Sequence, residues 1–118
     1  MDNCIFCKIV NHEIPANIVM ENEYVMAFED ANPVAPIHVL VVPKKHISNI
    51  MEINDENMKY INEIHKMIQN VAKIKGIDNT EHGFRVITNY GEDGGQTVHH
   101  LHYHIIGGRR LGPKIVND

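Results

Sequence analysis

The sequence predicts an α+β domain, an antiparallel sheet carrying one long and one short helix, on three observations. Short β-branched runs recur along the chain and are mostly separated by turn-forming residues. A single long amphipathic repeat falls between Asp55 and Lys75. The 118 residues, 43% of them hydrophobic, suffice for one core and leave little room for a second, so residues 1–118 are read as one domain.

Taken in order, Cys4 to Val10 reads as a short helix with Ile5, Phe6 and Ile9 apolar, stopping before Pro15. Ile18–Glu21 and Tyr24–Glu29 read as strands joined by a turn at Asn22-Glu23. Asp30-Ala31-Asn32-Pro33 forms a loop, and Pro33 and Pro36 keep that segment extended. His38–Val42, bounded by Pro36 and Pro43, is a buried strand. In the long repeat Met58, Ile61, Ile64, Ile68, Val71 and Ala72 share a helix face; Asn54 or Asp55 can cap its start, and Gly76 suits its end. Phe84–Asn89 is a strand, Tyr90–Gln96 a glycine-bearing turn, and His100–Ile106 the last strand, closed by Gly107-Gly108.

Net charge is -4, and no run of Lys or Arg exceeds two residues. A duplex-binding protein needs a basic stripe, so polymeric nucleic acid is not the expected partner, whereas a single nucleotide needs only local donors. No stretch approaches the ~20 apolar residues of a membrane span, and the N-terminal residues lack a secretory signal. A cytoplasmic location is expected, with Cys4 and Cys7 as reduced thiols.

The chain holds nine histidines, and His82, His99, His100, His102 and His104 crowd into its last third. On a strand, His100, His102 and His104 line one face at intervals of ~6.5–7 Å, while Leu101, Tyr103 and Ile105 face the other way. Three such imidazoles need water, a partner or a ligand to satisfy them. Two chemistries use them: attack on phosphorus by a neutral imidazole, or binding of a metal. The preceding Tyr90–Thr97 loop favours the first. Its amides, unobstructed at Gly91, Gly94 and Gly95, and the Thr97 hydroxyl suit an anion and have no use at a cation.

The run Gly95-Gln96-Thr97-Val98-His99-His100-Leu101-His102-Tyr103-His104-Ile105-Ile106 resembles the signature of the histidine triad superfamily. Gly107-Gly108-Arg109 is similar to the ending found in its Hint branch, the histidine triad nucleotide-binding proteins. The resemblance continues through Ile14-Pro15-Ala16, Ala27-Phe28-Glu29-Asp30, Ala35-Pro36-Ile37-His38, Val42-Pro43-Lys44-Lys45-His46-Ile47-Ser48 and Asn89, and so covers nearly the whole chain. It implies hydrolysis of purine nucleoside phosphoramidates or aminoacyl-adenylates through a covalent nucleotidyl-histidine. In that reading His102 is the nucleophile, and its second nitrogen bonds the His100 carbonyl. His104, Thr97 and the amides near Gly95 hold the phosphate; His38 stands beside the triad; Asn89 contacts the phosphate or the leaving group. Asp30 accepts the ribose hydroxyls, and Phe6, Ile9, Phe28 and Ala31 form the base pocket, Ala31 being smaller than the residue usual there. The resemblance also implies a homodimer with a continuous sheet.

Cys4-x-x-Cys7 supplies two ligands of the four a structural zinc site wants. Bacterial relatives complete the same pair with two histidines, which match His46 and His100 here. Zinc at Cys4, Cys7, His46 and His100 would be structural, with no cofactor needed for catalysis. A redox dithiol lacks the βαβ context it requires. His12, His65, His82 and His99 are read as surface or structural. The chain has no Trp, and 110–118 stands where some relatives carry a Trp-bearing tail. Other readings are a dinucleoside polyphosphate hydrolase, a nucleotide-binding regulator with vestigial catalysis, and a zinc hydrolase ligated by His100, His102 and His104.

Overall fold

The computed structural model describes residues 3–113. The elements run α1 (Ile5–Val10), β1 (Ile18–Glu21), β2 (Val25–Glu29), β3 (Ile37–Pro43), a 3-10 turn (Ile50–Glu52), α2 (Met58–Ile74), β4 (Phe84–Ile87) and β5 (Tyr103–Gly107). The strands form one sheet in the order β1-β2-β3-β5-β4, with every neighbouring pair antiparallel. The expected α+β class is what the chain adopts.

The sheet is covered on both faces, which explains why β2 and β3 are apolar on consecutive residues rather than alternately. On one face Val25, Ala27, Val39, Val41, Tyr103 and Ile105 pack against Ile64, Met67, Ile68, Val71 and Ala72 of α2. On the other, Met26, Phe28, Leu40 and Val42 pack against Phe6, Ile9 and Val10 of α1. A helix of six residues is far below the length that is stable alone, so α1 depends on what it touches.

Several boundaries differ from expectation. Asn54 does not cap α2: its Oδ1 accepts the N–H groups of Glu56 and Asn57, building a turn that delays the helix to Met58. Asn57 holds the N-cap position without a side-chain cap bond: buried, its Oδ1 accepts the Asn54 N–H and its amide donates to the Glu52 carbonyl. The 3-10 turn at Ile50–Glu52 lies where no element was expected. β4 stops at Ile87 instead of Asn89, and β5 starts at Tyr103 instead of His100, because residues 97–102 leave the sheet toward β3's exit. There the Leu101 N–H donates to the Ile47 carbonyl at 2.6 Å. β5 ends at Gly107, just before Gly108, whose φ of +88° suits glycine and where a Cβ would stand 2.9 Å from the Pro36 side chain. Of the 110–118 tail, residues 114–118 lie outside the described residues. Among the described residues, no helix is long and apolar enough to cross a membrane.

Candidate active site and metal centre

Strand register assembles the site. Phe28, Leu40, His104 and Ile87 stand side by side across β2, β3, β5 and β4, on the face α1 covers. One step along β3, His38 sits on the same face opposite Ile106. Between α1, the end of β2 and residues 97–98 lies a cleft of about 630 Å³. Phe6, Ile9, Phe28, Leu40 and Val98 supply apolar walls, and Asp30, Thr97, His102 and His104 supply polar groups.

His102 is 7% exposed, and its Nδ1 lies 2.7 Å from the His100 carbonyl. A carbonyl only accepts, so Nδ1 carries the proton and Nε2 keeps its lone pair. Burial holds the His102 imidazole below its ordinary pKa of 6.5, despite the opposing pull of that bond, so the lone pair is present at neutral pH.

A second chain of imidazoles reads in the opposite sense. The Val34 N–H donates to His38 Nδ1 at 3.1 Å, so the His38 proton must sit on Nε2. Nε2 in turn lies 2.9 Å from His104 Nδ1 and 3.4 Å from Asp30 Oδ2. His104 Nδ1 therefore accepts, and its Nε2 carries a hydrogen into the cleft. Burial first, then the nearby His102 and His38, push His104 down to a pKa of about 4, so it is a neutral donor. The site thus offers one nucleophilic nitrogen and one N–H donor on adjacent rings, whose centroids lie 5.1 Å apart.

His100 faces away from both. Its Nε2–H donates to the Pro43 carbonyl at 2.9 Å, which leaves Nδ1 free, 3.2 Å from Cys4 Sγ and 3.5 Å from Cys7 Sγ. His46 repeats the pattern, with Nδ1 3.2 Å from Cys7 Sγ and Nε2 3.3 Å from Ser48 Oγ. Cys4, Cys7, His46 and His100 bring four ligand atoms within 4.8 Å of one another and could hold a metal ion. Metal–sulfur and metal–nitrogen bonds of about 2.3 and 2.0–2.1 Å place neighbouring tetrahedral ligands ~3.5 Å apart, close to these spacings. The Pro43 carbonyl fixes the tautomer of His100, and the Ser48 hydroxyl, able to accept as well as donate, is compatible with the same tautomer at His46. Without a metal, burial and then Cys4 push the Cys7 thiol up to about 11, and burial drives His100 down to about 4.

Asp30, His38 and His104 form a second group with metal-ligating atoms. The amide of Val34 argues against a cation there, since a His38 that accepts at Nδ1 has a proton, not a lone pair, at Nε2. The three triad imidazoles also diverge toward different partners, so the zinc hydrolase ligated by His100, His102 and His104 does not fit.

Of the residues singled out by sequence, Phe6, Ile9, Phe28, Asp30, Ala31, Thr97, His102 and His104 line the cleft. His38 and His100 act from behind it. Gly95 and Asn89 do not line it. The Gly95 N–H is donated to the Glu92 carbonyl and the Gln96 N–H to the Gly91 carbonyl, so these amides close the turn instead of facing a phosphate. The Asn89 amide binds the Gly94 carbonyl at 2.7 Å. His12, His65, His82 and His99 are exposed. Leu40 and Val98 were missed; period two from His38 would have found Leu40. Thr88 was missed as well, and its hydroxyl donates to the His102 carbonyl at 2.9 Å.

Comparison with known proteins is consistent with this geometry. A family model described as HIT domain matches residues 11–111. An uncharacterized HIT-like protein of Synechococcus elongatus is 43% identical over 93% of this chain and 94% of its own. Protein HitA of Neisseria gonorrhoeae is 41% identical over 91% of this chain and 97% of its own. Among solved structures, a HIT family hydrolase from Clostridium thermocellum superposes with a TM-score of 0.92 at 51% identity, covering 98% of this chain and 99% of that one. A histidine triad protein from Clostridium difficile gives 0.89 at 55% identity, covering 97% and 96%.

Proposed function

The chain belongs to the HIT domain family, and from that premise we propose that it hydrolyses purine nucleoside phosphoramidates or acyl-adenylates, as its Hint branch does. One observation carries the reading: a buried imidazole whose Nδ1 is tied to a carbonyl and whose Nε2 faces a cleft containing a carboxylate and an apolar wall. His102 Nε2 attacks phosphorus, forming a P–N bond as the bond to the leaving group breaks with its electron pair, a phosphoramidate releasing an amine that takes up a proton from solvent and an acyl-adenylate releasing a carboxylate. The His104 N–H and Thr97 hydroxyl stabilise the phosphoryl oxygens as charge builds on them. Water then attacks the same phosphorus, the P–N bond breaks, and the electron pair returns to His102. Asp30 accepts the ribose hydroxyls, and Phe6, Ile9, Phe28 and Ala31 hold the base.

Zinc at Cys4, Cys7, His46 and His100 fixes structure, and catalysis needs no cofactor. A cytoplasmic protein with reduced thiols fits that site. β4 is an outer strand whose Phe84 and Val86 are exposed, which suits pairing with a second copy into a continuous sheet. A monomer by sedimentation at micromolar concentration would exclude that homodimer.

The deciding experiment compares wild type with His102→Ala on a fluorogenic adenosine phosphoramidate. We expect turnover by wild type and a loss on the order of 10⁴-fold or more in a folded variant. AMP binding without turnover by wild type would favour a nucleotide-binding regulator. Turnover only of dinucleoside polyphosphates would move the assignment to that branch.

A further inference from the structure

Phe6 stands in the chain between the two thiols, and in space beside two imidazoles that do different things. Its ring lies edge-on to His100, the metal-facing ring, at 5.9 Å and to His102, the nucleophile, at 5.1 Å. It also meets Phe28 at 5.6 Å and lines the cleft. The helix carrying it has six residues, and its capping group is itself a thiol: Cys4 Sγ accepts the Cys7 N–H at 3.3 Å. Such a helix is held in place by its contacts, not by its own hydrogen bonds. On one side those contacts are His46 and His100. On the other they are Met26, Phe28, Leu40 and Val42, of which Phe28 and Leu40 line the cleft.

We propose that metal occupancy and nucleotide binding are coupled through α1, with Phe6 as the coupling residue. The proposal rests on the zinc and nucleotide readings given above. Joining Cys4 and Cys7 to His46 and His100 fixes the turn on which Phe6 rides, and so fixes the wall against which a base packs. A base packed on Phe6 and Ile9 holds α1 where its thiols meet the two histidines. His100 adds a parallel tie, offering its ring to the metal and its carbonyl to His102. The two ligands therefore strengthen each other by one shared factor, because coupling between binding sites is reciprocal. Couplings of this kind span about 5- to 150-fold.

The test measures zinc affinity of the wild-type chain by competition with a chromophoric chelator, with and without saturating AMP, while circular dichroism follows helix content. AMP affinity is measured on the zinc-loaded and zinc-stripped chain. We expect AMP to tighten zinc at least about fivefold and zinc to tighten AMP by the same factor. Phe6→Leu keeps apolar bulk but loses the ring edges, so both ligands should still bind while the factor falls toward one. Equal zinc affinities with and without AMP would overturn the coupling. So would a Phe6→Leu variant that keeps the full factor, or a stripped chain without helical signal, which would make the linkage one of global folding. A chain that binds no zinc refutes the zinc reading, and one that binds no AMP refutes the nucleotide reading; each result is visible by itself.

Discussion

Among the described residues, two groups of side chains bring metal-ligating atoms together, and they differ in the placement of one proton. In the Cys4–Cys7–His46–His100 group the Pro43 carbonyl behind His100 turns its lone pair inward, and the Ser48 hydroxyl behind His46 can accept in the same way. In the Asp30–His38–His104 group the atom behind His38 is an N–H, that of Val34, so a hydrogen is turned inward instead. The first arrangement suits a cation. The second shares protons and ends in a donor pointing at the cleft. What an imidazole does is decided by the group on its far nitrogen, and residue type alone does not reveal it.

The largest expected effect tests the first group. A Cys4→Ser, Cys7→Ser double variant should lose zinc altogether, its stoichiometry falling from about one per chain to none, since structural zinc depends on the full ligand set. Retained zinc, lost only on further change of His38 or His104, would erase the contrast between the groups. A smaller effect tests the second. His38→Phe removes the hydrogen that sets the His104 tautomer, and kcat should fall on the order of 10²-fold with KM little changed, as when one preorganised donor is lost. An unchanged kcat would mean that His104 takes its tautomer from elsewhere.

The smallest effect is in pH. His102 lies below the ordinary imidazole value of 6.5, and His104 lies at about 4. Protonation would remove the attacking lone pair, so the acid-side midpoint of kcat/KM should lie below 6.5. A midpoint at 6.5 would show that the rings titrate as if exposed. Stability moves in the same direction. The unfolded chain takes up protons below 6.5 that the folded chain refuses until about 4, so folding weakens across that window as pH falls.

Much of the site was legible in residue order. Period two placed His100 and His102 on the face opposite Leu101, and the burial of Leu101, Tyr103 and Ile105 in the α2 core obeys that alternation even where the strand is absent. The long helix was evident from its repeat. Illegible were features decided by distant partners. Nothing near Leu101 announces that its N–H will seek Ile47, and nothing in Val34 announces that its amide will fix the tautomer of His38. The glycines of the 91–95 turn misled for the same reason: backbone able to cradle an anion spends its amides on Glu92 and Gly91.

The late start of β5 has a mechanical consequence. His102 sits one residue before the ladder, on an arm tied down by the Thr88 hydroxyl on its carbonyl and by the bond from Leu101 to Ile47. The arm is nonetheless buried as deeply as the ladder it precedes, with His100 and Leu101 at 0% and 1% exposed and His102 at 7%. Leu101 belongs to the core built with α2, so lifting the arm would open that core along with the site. Heating should therefore cost the chemistry and the fold together.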